Sequence, residues 1–168
     1  MRSLHHAAQA RRGAESNPAT RQARRPDNAG MNGVLIIAHA PLAHALRQCA
    51  LHVFPDAAGH VAALDVRPDA TPEQTLAAAR AALEHMPVEG VLVLTDLVGA
   101  TPCNVAQRLI AGRPCRLVAG VNLSMVLRAL TYRHEPLDAL AQRALTGGSQ
   151  GVVDVNAALS SGPRPGPA

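Results

Sequence analysis

The chain contains no lysine and no tryptophan, and Phe54 and Tyr132 are its only phenyl-type rings. Without lysine there is no side-chain Schiff base and no phosphate-binding Walker loop, whose lysine must reach the phosphates. Without aromatic platforms there is little to stack bases on, which argues against a single-stranded nucleic-acid reader. No run of 18 apolar residues occurs, so the sequence offers no membrane-spanning helix. Cysteine is scarce: Cys49, Cys103 and Cys115 are an odd number without the close spacing of a zinc site. They read as buried or half-buried thiols of a reducing compartment. With aromatics missing, the core must be made of Val, Leu, Ile and Ala.

The formal charge of +4 is unevenly placed. Residues 1–30 carry six arginines against Glu15 and Asp27, whereas residues 31–155 carry nine arginines against ten acids. The basic character therefore belongs to the leading segment, and the remainder presents no nucleic-acid footprint. Residues 1–30 lack a hydrophobic period and an apolar signal core, and read as a disordered Arg-rich tail. Met31 stands three residues before the first apolar run and is an alternative start. Residues 156–168, which include SSGPRPGPA, read as a flexible tail. One domain is expected over residues 31–155.

Within it, the β-branched run VLIIA (34–38) predicts a strand buried on both faces. Pro41 opens a helical pattern with Leu42, Ala45, Leu46, Cys49 and Val53 on one stripe. Residues 60–66 predict a second strand, and 71–86 a helix capped by Thr71 with Pro72 at its first position. VLVLTD (91–96) predicts a third strand. The helix over 101–112 repeats the Thr-Pro device and stops at Gly112. A fourth strand is expected at 115–120, helices near 123–131 and 136–146, and a short strand at VVDV (152–155). Strands alternating with helices predict an α/β fold: a doubly wound, mainly parallel sheet with helices on both faces.

In such folds the site lies beyond the carboxyl ends of the strands. That edge receives His39, Asp96, the loop 97–101 and residues 120–122. A histidine can take a phosphoryl group on one ring nitrogen while an aspartate holds the other. The helix start at Thr101 supplies unpaired N–H groups, a favourable dipole and a hydroxyl, and Gly99 lets the loop backbone come close. No second carboxylate accompanies Asp96 to bind Mg²⁺, and no metal or cofactor is expected. The other histidines read as surface or element-end residues, Arg133 and Glu135 as a solvated charge pair, and Arg108 and Arg113 as parts of a solvated helix face.

Three stretches, VLIIAHAPLAHAL, VEGVLVLTDLVGATPCNVA and LVAGVNLSMVLRAL, carry a resemblance. Over residues 32–155 the chain resembles the enzyme IIA domain of the mannose family of the bacterial phosphoenolpyruvate-dependent sugar phosphotransferase system. The resemblance implies a cytoplasmic phosphocarrier. His39 would accept a phosphoryl group from phospho-HPr, Asp96 would orient it, and Thr101 would bond the transferred group. Gly99, Ala100 and Asn122 would bind the phosphoryl group or a partner. The acceptor would be a IIB component, with the membrane met only through partners, and the chain would form a homodimer by exchanging a C-terminal strand near 150–155. Ala38 stands where the family often has a hydroxyl residue.

An orphan regulatory IIA protein, in which His39 phosphorylation controls binding to another protein, is the alternative. A related branch serving dihydroxyacetone kinase lacks the Thr-Pro-x-Asn stretch found at 101–104. An aspartyl-phosphate receiver using Asp96 fits poorly, since it needs a lysine and an acidic cluster at the first strand.

Overall fold

The computed structural model describes residues 30–160. The expectations for residues 1–29 and 161–168 lie outside the described residues.

Four strands form one sheet: β1 (Gly33–His39), β2 (Val61–Val66), β3 (Val91–Thr95) and β4 (Cys115–Ala119). Their order is β2–β1–β3–β4 and every pairing is parallel. The helices are α1 (Leu42–Val53), α2 (Pro72–Glu84), α3 (Thr101–Ile110), α4 (Leu123–Thr131), α5 (Leu137–Gln150) and α6 (Val155–Ser160). A 3₁₀ turn at Pro55–Gly59, which the sequence did not announce, leads into β2.

Side chains alternate across each strand, so the apolar run of β1 feeds two cores. Val34, Ile36 and Ala38 face α1, α4 and α5, while Leu35 and Ile37 face α2 and α3. Leu35, Ile36, Ile37, Leu92 and Leu94 are completely buried. Each such side chain contributes about 1.5–3 kcal/mol relative to exposure. The sheet is thus sealed on both faces without an aromatic side chain at its centre.

Thr71 caps α2 as expected: its hydroxyl accepts from the Gln74 N–H while the Gln74 side chain accepts from the Thr71 N–H. Elsewhere the local signals misled. Thr101 is the first residue of α3 rather than its cap, a place taken by Ala100 in extended conformation. The buried stripe of α1 is Ala43, Leu46 and Ala50. Leu42, Cys49 and Val53 are exposed, because an alanine-rich helix offers two apolar stripes and only packing chooses. Cys49 is therefore exposed, Cys103 buried and Cys115 half-buried, with burial pushing the Cys115 thiol pKa up.

Gly147 and Gly148 do not end α5, which continues to Gln150. They let α5 press onto α4: a Cβ on Gly147 would lie 2.6 Å from Arg128 Cβ, and one on Gly148 2.6 Å from Met125 Cε. At the far end of α4, the Arg143 guanidinium lies 4.6 Å from the Tyr132 ring centre and that of Arg128 lies 6.0 Å from it. Arg133 and Glu135 do not pair with each other. Arg133 bonds Asp56 at 3.0 Å, and Glu135 is held by two bonds of 3.0 Å from Arg143. His60 is not a surface residue but buried.

The short strand expected at 152–155 is not formed. Residues 152–154 run outside the sheet, and α6 occupies the start of the expected tail, residues 156–160. A strand needs a neighbour to satisfy its ladder, and this segment lies against none; Val152, Val153 and Val155 are exposed.

Candidate functional site

The sheet order reverses at β1. The chain leaves β1 for β2 on one side and returns to β3 on the other. The tips of β1 and β3 are therefore neighbours, at the point where folds of this kind bind their ligands. β1 ends at His39, and β3 ends one residue before Asp96.

The two side chains meet there. His39 Nδ1 lies 2.6 Å from Asp96 Oδ2, and the His39 backbone N–H donates to the same oxygen at 2.9 Å. The second carboxylate oxygen, Oδ1, accepts from the Leu97 N–H at 2.9 Å. Asp96 is mostly buried, at 14% side-chain exposure, whereas the His39 ring is 55% exposed. Burial pushes the Asp96 carboxyl pKa up, but the His39 N–H, the His39 ring and the Leu97 N–H together outweigh it and hold the pKa below the ordinary range. The carboxylate is thus ionised and acts as acceptor, which places the ring proton on Nδ1. Nε2 makes no hydrogen bond among the described residues.

The loop after Asp96 leads into α3. Gly99 takes φ +83°, a left-handed conformation open to glycine at no cost, and its carbonyl accepts from Asn104 Nδ2 at 3.2 Å. Ala100 then enters α3, whose first turn leaves the N–H groups of Thr101 and Cys103 without intrahelical carbonyls. The Thr101 hydroxyl is exposed and makes no hydrogen bond among the described residues. Pro102 has no N–H to leave unpaired. This helix start suits an anion.

Asn122 is employed otherwise. Its Oδ1 caps α4 by accepting from the Met125 N–H at 2.9 Å, and its Nδ2 donates to the Gly148 carbonyl at 3.1 Å. Both ends of the amide are in use, tying α4 to α5. Among the described residues no cluster of three or more His, Cys, Asp and Glu side chains is arranged to hold a metal. Nor is any helix there long and apolar enough to cross a membrane.

The decisive backbone donors, from His39 and Leu97, carry no sequence signal. A second carboxylate also escaped the sequence reading: Asp65, near the tip of β2, takes hold of His44.

Residues 33–144 match the family model described as the PTS system fructose IIA component, of the mannose type. The chain belongs to that family. This IIA protein is similar to the solved phosphotransferase component EIIA of Streptococcus agalactiae, at 25% identity and TM-score 0.68, covering 76% of this chain and 99% of that one. It is likewise similar to the mannose/sorbose-specific IIA subunit of Enterococcus faecalis, at 28% identity and TM-score 0.66, covering 74% and 94%. A IIA protein associated with a fucose utilization operon in Streptococcus pneumoniae shares the fold at 20% identity and TM-score 0.66, covering 79% and 98%. No curated protein matches significantly. As a IIA protein the chain has a phosphocarrier role in sugar phosphotransfer. Its core reading as an α/β parallel-sheet protein also stands.

Proposed function

We propose that this IIA protein accepts a phosphoryl group on His39 Nε2 from the phosphohistidine of HPr and passes it to a IIB component. The observation that carries this reading is the 2.6 Å contact between His39 Nδ1 and Asp96 Oδ2, which occupies Nδ1 and leaves Nε2, on a ring that is 55% exposed, as the nitrogen available to a phosphoryl group. In the first transfer the N–P bond of the donor breaks as a new N–P bond forms at Nε2, and in the second the Nε2–P bond breaks as phosphorus bonds to the acceptor of the IIB component. The Nδ1 proton stays on His39, where Asp96 offsets the charge that the modified ring would otherwise carry alone. The arriving oxygens are received by the first-turn N–H groups of α3 and by the Thr101 hydroxyl, with Gly99 and Ala100 shaping the approach. A helix start contributes about 0.3–1 kcal/mol to an exposed anion and up to about 2 when partly buried. The reaction stays in the cytoplasm, and the membrane enters only through partners. The exposed segment at Val152, Val153 and Val155 is where a second copy docks to complete a homodimer.

The test is intact-mass and fragmentation analysis of the full chain after incubation with enzyme I, HPr and phosphoenolpyruvate. The expected result is one phosphoryl mass that requires HPr and maps to His39. Folded protein with active HPr and no modification at His39 would overturn the reading.

A further inference from the structure

The arrangement at His39 occurs twice. On the neighbouring strand tip, His44 Nδ1 lies 2.9 Å from Asp65 Oδ2, and the His44 backbone N–H donates to Asp65 Oδ1 at 3.2 Å. The exposures also repeat: 56% for the His44 side chain and 21% for Asp65, against 55% and 14% in the first pair. In both pairs one carboxylate grips the backbone N–H and the ring Nδ1 of a single histidine, and Nε2 makes no hydrogen bond among the described residues.

We propose that His44 is a second phosphoryl-accepting histidine, modified on Nε2 and held by Asp65. The proposal rests on the phosphoryl chemistry assigned to His39 and extends it to a site of its own.

Helix capping accounts for only half of the second pair. Asp65 accepts an N–H from the first turn of α1, which has neither a side-chain cap nor an acidic residue of its own. That bond needs one oxygen. The other is spent on the imidazole, which holds the ring by Nδ1 and leaves Nε2 as the nitrogen available for chemistry. His44 is the third residue of α1, a 12-residue helix whose positive end favours the charge a phosphoryl group brings. Arg47, one turn on, fastens its Nε to the Val61 carbonyl at 2.9 Å. His44 and Arg47 line one groove of about 560 Å³ along the free edge of β2, which His85 also enters. None of the residues lining it is acidic, so beside the Asp65 carboxylate that holds the ring, the charged group a phosphoryl group meets there is the Arg47 guanidinium.

Transfer to His44 is chemically balanced with a donor that carries a P–N bond. The donor bond breaks, the departing nitrogen keeps the electron pair, and phosphorus bonds to His44 Nε2. Phosphoramidate is such a donor, and its leaving group is ammonia. It also needs no protein docking surface.

The test treats the full chain, wild type and His39→Gln, with phosphoramidate, and maps the sites by fragmentation that preserves N–P bonds. His52 and His134 are exposed histidines whose rings make no hydrogen bond to a carboxylate among the described residues, and they serve as internal references. In wild type, His39 and His44 both become modified. In His39→Gln, one phosphoryl group maps to His44 and forms at least about tenfold faster than on either reference. Phosphorus and proton spectra assign it to Nε2. Adding Asp65→Asn, which keeps an oxygen for the His44 N–H but removes the charge, brings His44 down to the reference rate. Should that variant unfold at a lower temperature, the ratio of His44 to His52 in His39→Gln alone decides. Rapid labelling of wild-type His39 with His44 no faster than His52 overturns the second site and leaves the first intact. Failure at both histidines overturns both.

Discussion

At the scale of single residues, the candidate site is two side chains and two backbone donors. His39 and Asp96 were legible because a buried strand ending in a polar residue places that residue at the carboxyl edge of a parallel sheet. The hydrogen bonds from the His39 and Leu97 N–H groups, and the grip of Asp65 on His44, were not legible. They depend on the registers that set Ile37 beside Thr95 and Ala38 beside Asp65. Replacing Asp96 with Asn keeps a hydrogen-bonding group but removes the charge that fixes the Nδ1 proton. Losses of about 10- to 100-fold attend removal of such a supporting group at metal-bound histidines, and a drop of similar size is expected in phosphorylation of His39. Single-turnover mass analysis with phospho-HPr would measure it, and an unchanged rate would remove Asp96 from the chemistry. His60 tests the opposite circumstance, a buried ring with neither nitrogen hydrogen-bonded among the described residues. Burial lowers its pKa, Arg133 lowers it further, and Asp56 partly offsets both. Because the folded pKa is depressed, the unfolded chain binds a proton that the folded chain resists. Stability is therefore expected to fall as pH drops below about 6.5. Urea midpoints at pH 7.5, 6.5 and 5.5 would show this slope, and His60→Leu should flatten it.

Among the elements, the strands were plain from their apolar runs, while the helices were plain in place but not in face or length. The stripe on α1 was misassigned because alanine fits a core and a surface equally well. The helix was expected near 136–146, short of Gly147-Gly148, and glycine is a poor helix former. The structure uses the missing side chains for a close helix contact, a tertiary reason that no local pattern contains. In an open helix, Gly→Ala would stabilise by up to about 1 kcal/mol. Gly147→Ala is instead expected to destabilise by about 1–3 kcal/mol, since its Cβ would meet Arg128 Cβ, an atom fixed to the α4 backbone. Gly148→Ala should cost less, because the obstructing Met125 Cε is the end of a flexible chain. Urea unfolding of the two variants would rank them, and equal midpoints would contradict this account.

On the scale of the whole molecule, two cores on either side of one sheet make the fold, and its C-terminal segment lies outside both. Val152 and Val153 are 77% and 64% exposed, an apolar pair that a second copy would cover. Val152→Glu together with Val153→Glu is expected to convert a dimer into a monomer in sedimentation equilibrium. A dimer that survives both changes would place the interface elsewhere. The strand expected there from the sequence fails to form within one chain for the same reason: it has an edge to offer and none to join. The placement of Tyr132 has an optical consequence. With tryptophan absent, this phenol is the dominant intrinsic fluorophore, and it sits beneath Arg143 at the end of α4. Its emission and its near-ultraviolet dichroism will register the parting of α4 from α5, while chemistry at the strand tips passes unseen by light.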